Sequence, residues 1–254
     1  MISVAVAGYA GRMGSAVVDA VTAAKDMEVA CGIDPFGGEA SFATYKSIDE
    51  ALQGSSFDVL VDFTQPSVVA KTLEKALPAG VDCVVGTTGM SDDTLNALAA
   101  SAKPDTCLFY APNFTTGAVL MMEFAKAAAP YFRESEVIEF HHCNKKDAPS
   151  GTAVRTAQII SRSRDFTSVA PGSETEIDGC EGARGALVEG VPVHSVRSMG
   201  YVASQEVIFG SMGQTLTIRH DSWDRTSYMP GVLLGIRSVG KCSGLVVGLE
   251  NFMA

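Results

Sequence analysis

Over its first hundred or so residues the sequence alternates short apolar runs with amphipathic stretches, and this alternation constrains the fold more than any other feature. Ile2–Ala7, Met27–Ile33 and residues 58–63, 82–87 and 106–111 read as strands. Between them, residues 11–24 place Met13, Val17, Val21 and Ala24 at helical spacing, and residues 67–77 read as a further helix. Ser91 caps another, with Asp92 and Asp93 in its first turn, where the helix dipole favours acids. Apolar strands alternating with helices imply parallel strands covered on both faces. The expected class is therefore α/β, with an N-terminal doubly wound parallel sheet.

The pattern changes after residue 112. Residues 116–132 form an apolar stretch of helical character, rich in Ala and Met, in which Met121 and Met122 read as core. Residues 136–142 read as a strand, 144–150 as a polar turn, Gly151–Arg162 as a helix and 166–188 as loop. Val191–Arg197, residues 205–209 and Gln214–Ser222 follow as strands. Several strands with few helices between them suggest an α+β C-terminal domain on an open mixed sheet. A helix over 226–239 and a strand over 245–249 return to the first style, so the division expected is 1–112 with 225–254, and 113–224.

Composition excludes several classes. With 254 residues, 46% hydrophobic and 19% charged, the chain is too apolar for disorder. No apolar run reaches the ~18–20 residues that cross a bilayer, and the start lacks the charged and apolar regions of a signal peptide, so no membrane partner is expected. A net charge of −10 argues against a nucleic-acid partner. It also repels small anions, so an anion site requires its own cluster of positive groups. The six cysteines, Cys31, Cys83, Cys107, Cys143, Cys180 and Cys242, show no CxxC pair and read as structural, which points to a cytoplasmic location.

Two segments carry chemistry. The first is Gly8-Tyr9-Ala10-Gly11-Arg12-Met13-Gly14, which follows a strand and opens a helix. Glycines there let backbone approach a pyrophosphate, and helix-start N–H groups receive its charge. Asp34 follows the second strand, 20 residues after Gly14, where an acid binds ribose hydroxyls. Asp34 disfavours a 2′-phosphate, and Pro35 stands where an NADP reader supplies Arg; Arg12 offers partial compensation. The cofactor expected is NADH, with NADPH tolerated. Gly86-Thr87-Thr88-Gly89 and Ala111-Pro112-Asn113-Phe114 end two further strands, where such sheets place ligands.

The second segment is a concentration of positive charge. His141 and His142 end a strand, Lys145 and Lys146 follow, and Asp147-Ala148-Pro149-Ser150-Gly151-Thr152 opens a helix capped by Ser150. Imidazole, ammonium and helix-start amides suit a carboxylate ligand. Alternation along the strand sends His141 and His142 to opposite faces. Adjacent histidines diverge and no third ligand stands at suitable spacing, so no metal is expected. Arg197 is a candidate second anion clamp or an ion pair, and Asp221, Asp224 and Arg225 around Trp223 read as capping and a domain-joining salt bridge. His194 and His220 read as sheet residues.

Together, Val6-Ala7-Gly8-x-x-Gly11-Arg12-Met13-Gly14, Val61-Asp62-Phe63-Thr64, Gly86-Thr87-Thr88-Gly89, Ala111-Pro112-Asn113-Phe114 and Glu139-Phe140-His141-His142-x-x-Lys145-x-Asp147-Ala148-Pro149-Ser150-Gly151-Thr152-Ala153 closely resemble the bacterial dihydrodipicolinate reductases, also called 4-hydroxy-tetrahydrodipicolinate reductases. The match runs in order through His194-Ser195-Val196-Arg197 and His220-Asp221-Ser222, and looks like the actinobacterial branch. The resemblance implies NAD(P)H-dependent reduction of a small cyclic dicarboxylate in the diaminopimelate and lysine pathway. It implies a Rossmann domain closed by the C-terminal tail, and a mixed-sheet domain for substrate binding and homotetramer formation. By the same resemblance, Gly8, Tyr9, Ala10, Gly11, Arg12 and Met13 hold the pyrophosphate and Asp34 the ribose, while Gly86, Thr87, Thr88, Ala111, Pro112, Asn113 and Phe114 line the nicotinamide. His141 exchanges the proton and Lys145 is the acid; His142, Lys145, Ser150, Gly151 and Thr152 bind the substrate carboxylates. Pro35 departs from members with Arg after the ribose-binding acid, which weakens the case for strict NADPH use. A reductase of another keto or imino acid, and an NAD(H)-sensing module, are the competing classes. The latter has no need of the HHxxK cluster.

Overall fold

The computed structural model describes residues 1–166, 177 and 182–253. The chain divides into two compact units, Met1–Thr116 with Arg225–Ala254, and Gly117–Asp224.

The first unit begins β1 (Ile2–Ala7), α1 (Arg12–Ala23), β2 (Met27–Ile33), β3 (Ala43–Tyr45), α2 (Ile48–Gly54), β4 (Val59–Asp62), α3 (Pro66–Ala79), β5 (Asp82–Val85), α4 (Asp92–Ala100) and β6 (Cys107–Tyr110). The strand and helix patterns read from sequence appear here, with boundaries shifted by up to two residues. The short β3 and α2 were not expected. Ser47 caps α2 by accepting the Glu50 N–H at 3.3 Å, and Asp49 and Glu50 occupy its first turn. Ser91 caps α4 in the same way through Thr94 N–H, at 3.2 Å.

The second unit contains α5 (Thr116–Ala128, its first residue belonging to the first unit), β7 (Glu134–His141), α6 (Gly151–Arg162), β8 (Ala186–Val188), β9 (Val191–Arg197), β10 (Ala203–Ser211) and β11 (Gln214–Ser222). The apolar helix stops at Ala128 rather than running to residue 132, because Pro130 sits in a 3-10 turn over Ala129–Tyr131. Within the span read as loop, Ala186–Val188 is a strand, paired antiparallel with β9. Within that span, residues 167–176 and 178–181, Cys180 among them, lie outside the described residues. The sheet order is β11-β10-β7-β9-β8, with β7 and β9 parallel and the other pairs antiparallel. Along β7 the burial alternates, so Ser135, Val137 and Glu139 face inward together with buried Ala153, Thr156, Ala157 and Ile160 of α6. Gln205 of β10 ties the helices to the sheet, donating to Thr156 Oγ1 at 2.8 Å and approaching Met121 Sδ at 3.8 Å.

The chain then returns to the first unit through α7 (Met229–Val239) and β12 (Gly244–Val247). The expected helix start at 226 is a 3-10 turn, Arg225–Tyr228, and α7 begins behind Pro230. β12 adds parallel to β6 and completes a seven-stranded sheet of order β12-β6-β5-β4-β1-β2-β3. All six strand pairs are parallel. One face packs Ala5, Cys31, Leu60, Cys83 and Leu108 against Leu73, Leu77 and Leu95 of the helices α3 and α4. On the other, Gly235 of α7 lies close enough to Phe109 and Val84 that a Cβ there would crowd both. Arg237 of α7 also pairs through two bonds with Asp26, at 2.7 and 2.9 Å. Burial pushes the Cys31 thiol up to about 11 and Cys107 up to about 12, so both stay protonated and inert.

Gly14 sits where α1 meets the β1 loop, and a Cβ there would run into the Gly8 carbonyl. Backbone cannot yield as a flexible side chain does. Gly14→Ala is expected to destabilise the protein by about 1–3 kcal/mol, read as a lower urea midpoint of unfolding.

Candidate active site

Because every strand of the first sheet runs the same way, the segments after β1, β2, β4, β5 and β6 all lie along its carboxyl edge. Successive connections step from β1 to β2 and β3, then return to β4 on the other side of β1. The switch point between β1 and β4 is where open α/β sheets bind ligands. Gly8 stands there with φ +75°, a conformation costly for other residues, and its carbonyl accepts the Gly11 N–H at 2.9 Å. Gly11 caps α1 without a side-chain bond, and no acid stands in the first turn, in contrast to α2 and α4. The helix thus keeps its positive end for an anion. Ala10, Gly11 and Arg12 are exposed and Met13 is half-buried. Tyr9 is different. Its ring is buried edge-on against Phe42, over Gly32, and its hydroxyl donates to Gly38 O at 3.0 Å. Only its backbone is placed for a ligand.

Asp34 follows β2 directly and is buried, with Oδ1 accepting the Phe36 N–H at 3.0 Å. A carboxylate has capacity for several further donors. Pro35 and Phe36 beside it are exposed.

The other loops on this edge are held from beneath by a residue that received no role from the sequence. Asp62, fully buried at the end of β4, accepts from Thr64 N at 2.9 Å, Thr64 Oγ1 at 2.8 Å and Thr87 Oγ1 at 2.8 Å. Burial raises its pKa, only partly opposed by these donors. Thr87 is therefore buried with its hydroxyl spent on Asp62, while Thr88 is exposed and Gly86 lies against the Phe63 ring. Phe114 is likewise buried between Phe63 and Phe109, at ring distances of 5.4 and 5.6 Å. Ala111 is buried, Pro112 exposed, and Asn113 Oδ1 accepts the Thr115 N–H at 2.9 Å. The Thr87 and Phe114 side chains thus shape this edge from behind rather than line it.

The second constellation lies within the other unit, at the end of β7. Glu139 is fully buried there. Arg197 at the end of β9 donates to its two carboxylate oxygens, each at 2.8 Å. Ser150 N–H donates to Oε1 at 3.2 Å, and His141 Nδ1 contacts Oε2. Burial alone would raise the Glu139 pKa, but hydrogen bonds from Arg197, Ser195 and His141 outweigh it and hold the carboxyl below its ordinary 4.5. Ser150 Oγ caps α6 through Ala153 N–H at 3.3 Å. Gly151 is exposed and Thr152 half-buried at the helix start. Lys145 Nζ donates to Asp147 at 2.8 Å. His142 falls just past the strand, exposed, its carbonyl accepting the Lys145 N–H at 3.1 Å. The His141 pKa is lowered, chiefly by burial, with Lys145 and Arg197 adding to that and Glu139 opposing it.

The sequence left Arg197 open between an anion clamp and an ion pair; the structure shows the ion pair, and the guanidinium also donates to Asp147 O at 2.8 Å and Val196 O at 2.9 Å. Asp221 pairs with Arg219 two residues away on the same strand, at 2.9 Å. His142 is a turn residue rather than a strand residue on the opposite face. His194 and His220 lie on β9 and β11, His194 bonded to Glu136 at 2.6 Å. Among the described residues, no group of three or more His, Cys, Asp or Glu is arranged to hold a metal ion. Nor is any helix there long and apolar enough to cross a membrane.

A doubly wound parallel sheet with a glycine loop at its switch point is of Rossmann type, the class that in many oxidoreductases binds a dinucleotide. The family model described as dihydrodipicolinate reductase, N-terminus, matches residues 2–114, and that of the C-terminus matches 117–253. A 4-hydroxy-tetrahydrodipicolinate reductase of Streptomyces coelicolor is 48% identical over 99% of this chain and 98% of its own. One from Mycolicibacterium gilvum is 47% identical, covering 98% of each. The solved structure of dipicolinate-bound dihydrodipicolinate reductase from Paenisporosarcina sp. TG-14 superposes with a TM-score of 0.90, at 39% identity over 99% of both chains. The chain belongs to the dihydrodipicolinate reductase family, oxidoreductases of diaminopimelate and lysine biosynthesis.

The Glu139–Arg197 pair makes two further outcomes testable. Arg197→Met leaves a carboxylate buried without its cation, and is expected to cost about 3–5 kcal/mol in chemical unfolding. Because the folded pKa of Glu139 is depressed, its contribution is complete above pH 4.5 and is lost as pH falls through the lower folded value. A plot of melting temperature against pH should show that acid loss in the wild type; in Arg197→Met, where burial is no longer offset by the cation, the loss should shrink or reverse, so that the gap between the two proteins narrows as pH falls.

Proposed function

We propose that this protein reduces 4-hydroxy-tetrahydrodipicolinate to tetrahydrodipicolinate with NAD(P)H, releasing water. The observation that carries the reading is the Glu139–His141–Lys145–Ser150 arrangement at the start of α6. Its support from outside the chain is the bound dipicolinate named for the Paenisporosarcina structure, a planar dicarboxylate on a relative of 39% identity.

The carboxyl edge of the first sheet fits a dinucleotide. The Gly8–Gly11 turn, the uncapped start of α1 and the Asp34 carboxylate stand in the order a pyrophosphate and a ribose require. Gly8, Gly11, Arg12, Met13 and the backbone of Tyr9 and Ala10 would hold the pyrophosphate; Gly86, Thr88, Ala111, Pro112 and Asn113 would line the nicotinamide. The bound cofactor supplies a hydride. Asp34 repels a 2′-phosphate, and Pro35 and Phe36 beside it carry no positive charge, which favours NADH, with NADPH tolerated.

The chain's own groups do the rest. His142, Lys145 and the Gly151–Thr152 helix start neutralise the two carboxylates. Lys145 is already bonded to Asp147, so a substrate carboxylate must share or displace that partner. His141 exchanges the proton that accompanies hydride delivery. The outer strands of the five-stranded sheet carry exposed Leu187 and Leu216, and exposed Met212 lies in the turn between β10 and β11; this apolar surface supports association of copies through the sheet, as a homotetramer would require.

Oxidation of NADH and NADPH, followed optically with the condensation product of pyruvate and aspartate semialdehyde, tests the whole reading; no turnover with either would overturn it. His141→Gln should lower kcat by ~10²–10⁴ with dinucleotide affinity unchanged. Lys145→Ala should raise KM as well. In an Asp34→Ser, Pro35→Arg double variant, the ratio of kcat/KM values should move toward NADPH.

A further inference from the structure

We propose that Glu139 is a positioning residue for this reaction: its carboxylate locks the neutral His141 ring in the Nδ1–H tautomer and, through the same group, sets the start of α6. The inference rests on the reading of His141 as the proton-exchanging group.

Strand geometry makes the arrangement possible. Residues two apart on β7 share a face, so Glu139 and His141 point the same way. Glu139 has every outlet specified. Oε1 accepts from Arg197 Nη2 at 2.8 Å and from Ser150 N at 3.2 Å, while Oε2 accepts from Arg197 Nη1 at 2.8 Å and meets His141 Nδ1. A carboxylate held ionised by a two-pronged arginine only accepts. His141 Nδ1 must therefore carry a hydrogen in both charge states of the ring, and the atom left to gain or lose a proton is Nε2.

An ion pair serving stability alone would need only Arg197. Ser195 on β9 adds a further hydrogen bond, and the two remaining donors are both parts of the proposed dicarboxylate site: the acid–base ring and the residue that caps α6. One carboxylate thus fixes the proton-exchanging ring relative to the helix start that meets the substrate. The groups facing His141 are Glu139 on β7, Arg197 on β9, and Lys145 and Asp147 in the turn. Of these, Glu139 favours the charged ring and Lys145 and Arg197 disfavour it.

Glu139→Gln removes the charge and inserts an amide donor. With its oxygen toward Arg197 Nη2 and Ser150 N–H, its NH₂ meets His141 Nδ1 and demands the opposite tautomer. Loss of the favourable charge also lowers the His141 pKa further. The expected results at neutral pH are a fall in kcat of about 10²-fold or more, a high-pH limb of the kcat profile displaced to lower pH, and an unchanged NADH dissociation constant. Glu139→Asp, which keeps the charge, should restore the limb toward the wild-type position.

Nitrogen-15 NMR of histidine-labelled protein reads the tautomer directly, with the His141 signals assigned by their absence in His141→Gln. The neutral wild-type ring should show a protonated Nδ1 and a bare Nε2. A wild-type ring protonated on Nε2, or a folded Glu139→Gln variant with wild-type kcat and pH profile, would overturn the proposal. If Glu139→Gln does not fold, the wild-type tautomer and the Glu139→Asp profile decide. The tautomer is measured without turnover, so a chain that reduced no dicarboxylate would refute the proposed function and leave this measurement standing on its own.

Discussion

A carboxylate in the interior is the constraint around which the second unit is arranged. Glu139 has no exposed surface, and an ion buried without partners costs several kcal/mol. The structure meets that cost with donors from three places in the chain: β9 through Arg197, the α6 start through Ser150, and β7 itself through His141. Arg197 in turn reaches the Asp147 carbonyl, so the segment between β7 and α6 is clamped at its middle as well as at its end. A buried polar network is worth keeping only when its members are satisfied. Here both Glu139 oxygens are bonded, from Arg197, Ser150 and His141, and these partners lie at the end of β7 and β9 and the start of α6.

The same economy governs the acidic surface. A chain of charge −10 must concentrate cations wherever it binds anions. Two cations at the end of the second sheet are nevertheless committed within the protein, Arg197 to Glu139 and Lys145 to Asp147. The start of α6, with Gly151 exposed, adds backbone N–H groups to that balanced set. At the switch point of the first sheet the positive end of α1 stands without any side-chain cap.

Much of this was legible from residues alone. Periodicity located the parallel strands, and the glycine spacing with Asp34 placed the switch-point loop, because those patterns follow from local geometry. Ser150 and Ser91 were readable as caps for the same reason. β3, α2 and β8 were not, since three-residue strands and a seven-residue helix carry too little periodicity. Asp62, Glu139 and Arg197 show the deeper limit. Their roles depend on partners 25 to 58 positions away, and a buried acid looks in sequence like any other. Thr87 and Phe114 were placed on the right loops, but which way a side chain turns is decided by packing against Asp62 and Phe63.

The position of β12 has a consequence for how the protein is made. The strand beside β6, and the α7 helix bearing on Phe109 and Asp26, come from residues 229–247, more than a hundred positions after the strands they join. During synthesis the first sheet must therefore wait, with its β6 edge unpaired, while the whole second unit is translated. The second unit is contiguous in the chain and has no such delay. The second unit can thus complete its own sheet while β6 still lacks its β12 neighbour, and an unpaired strand edge of that kind is what a nascent chain must keep from wrong partners.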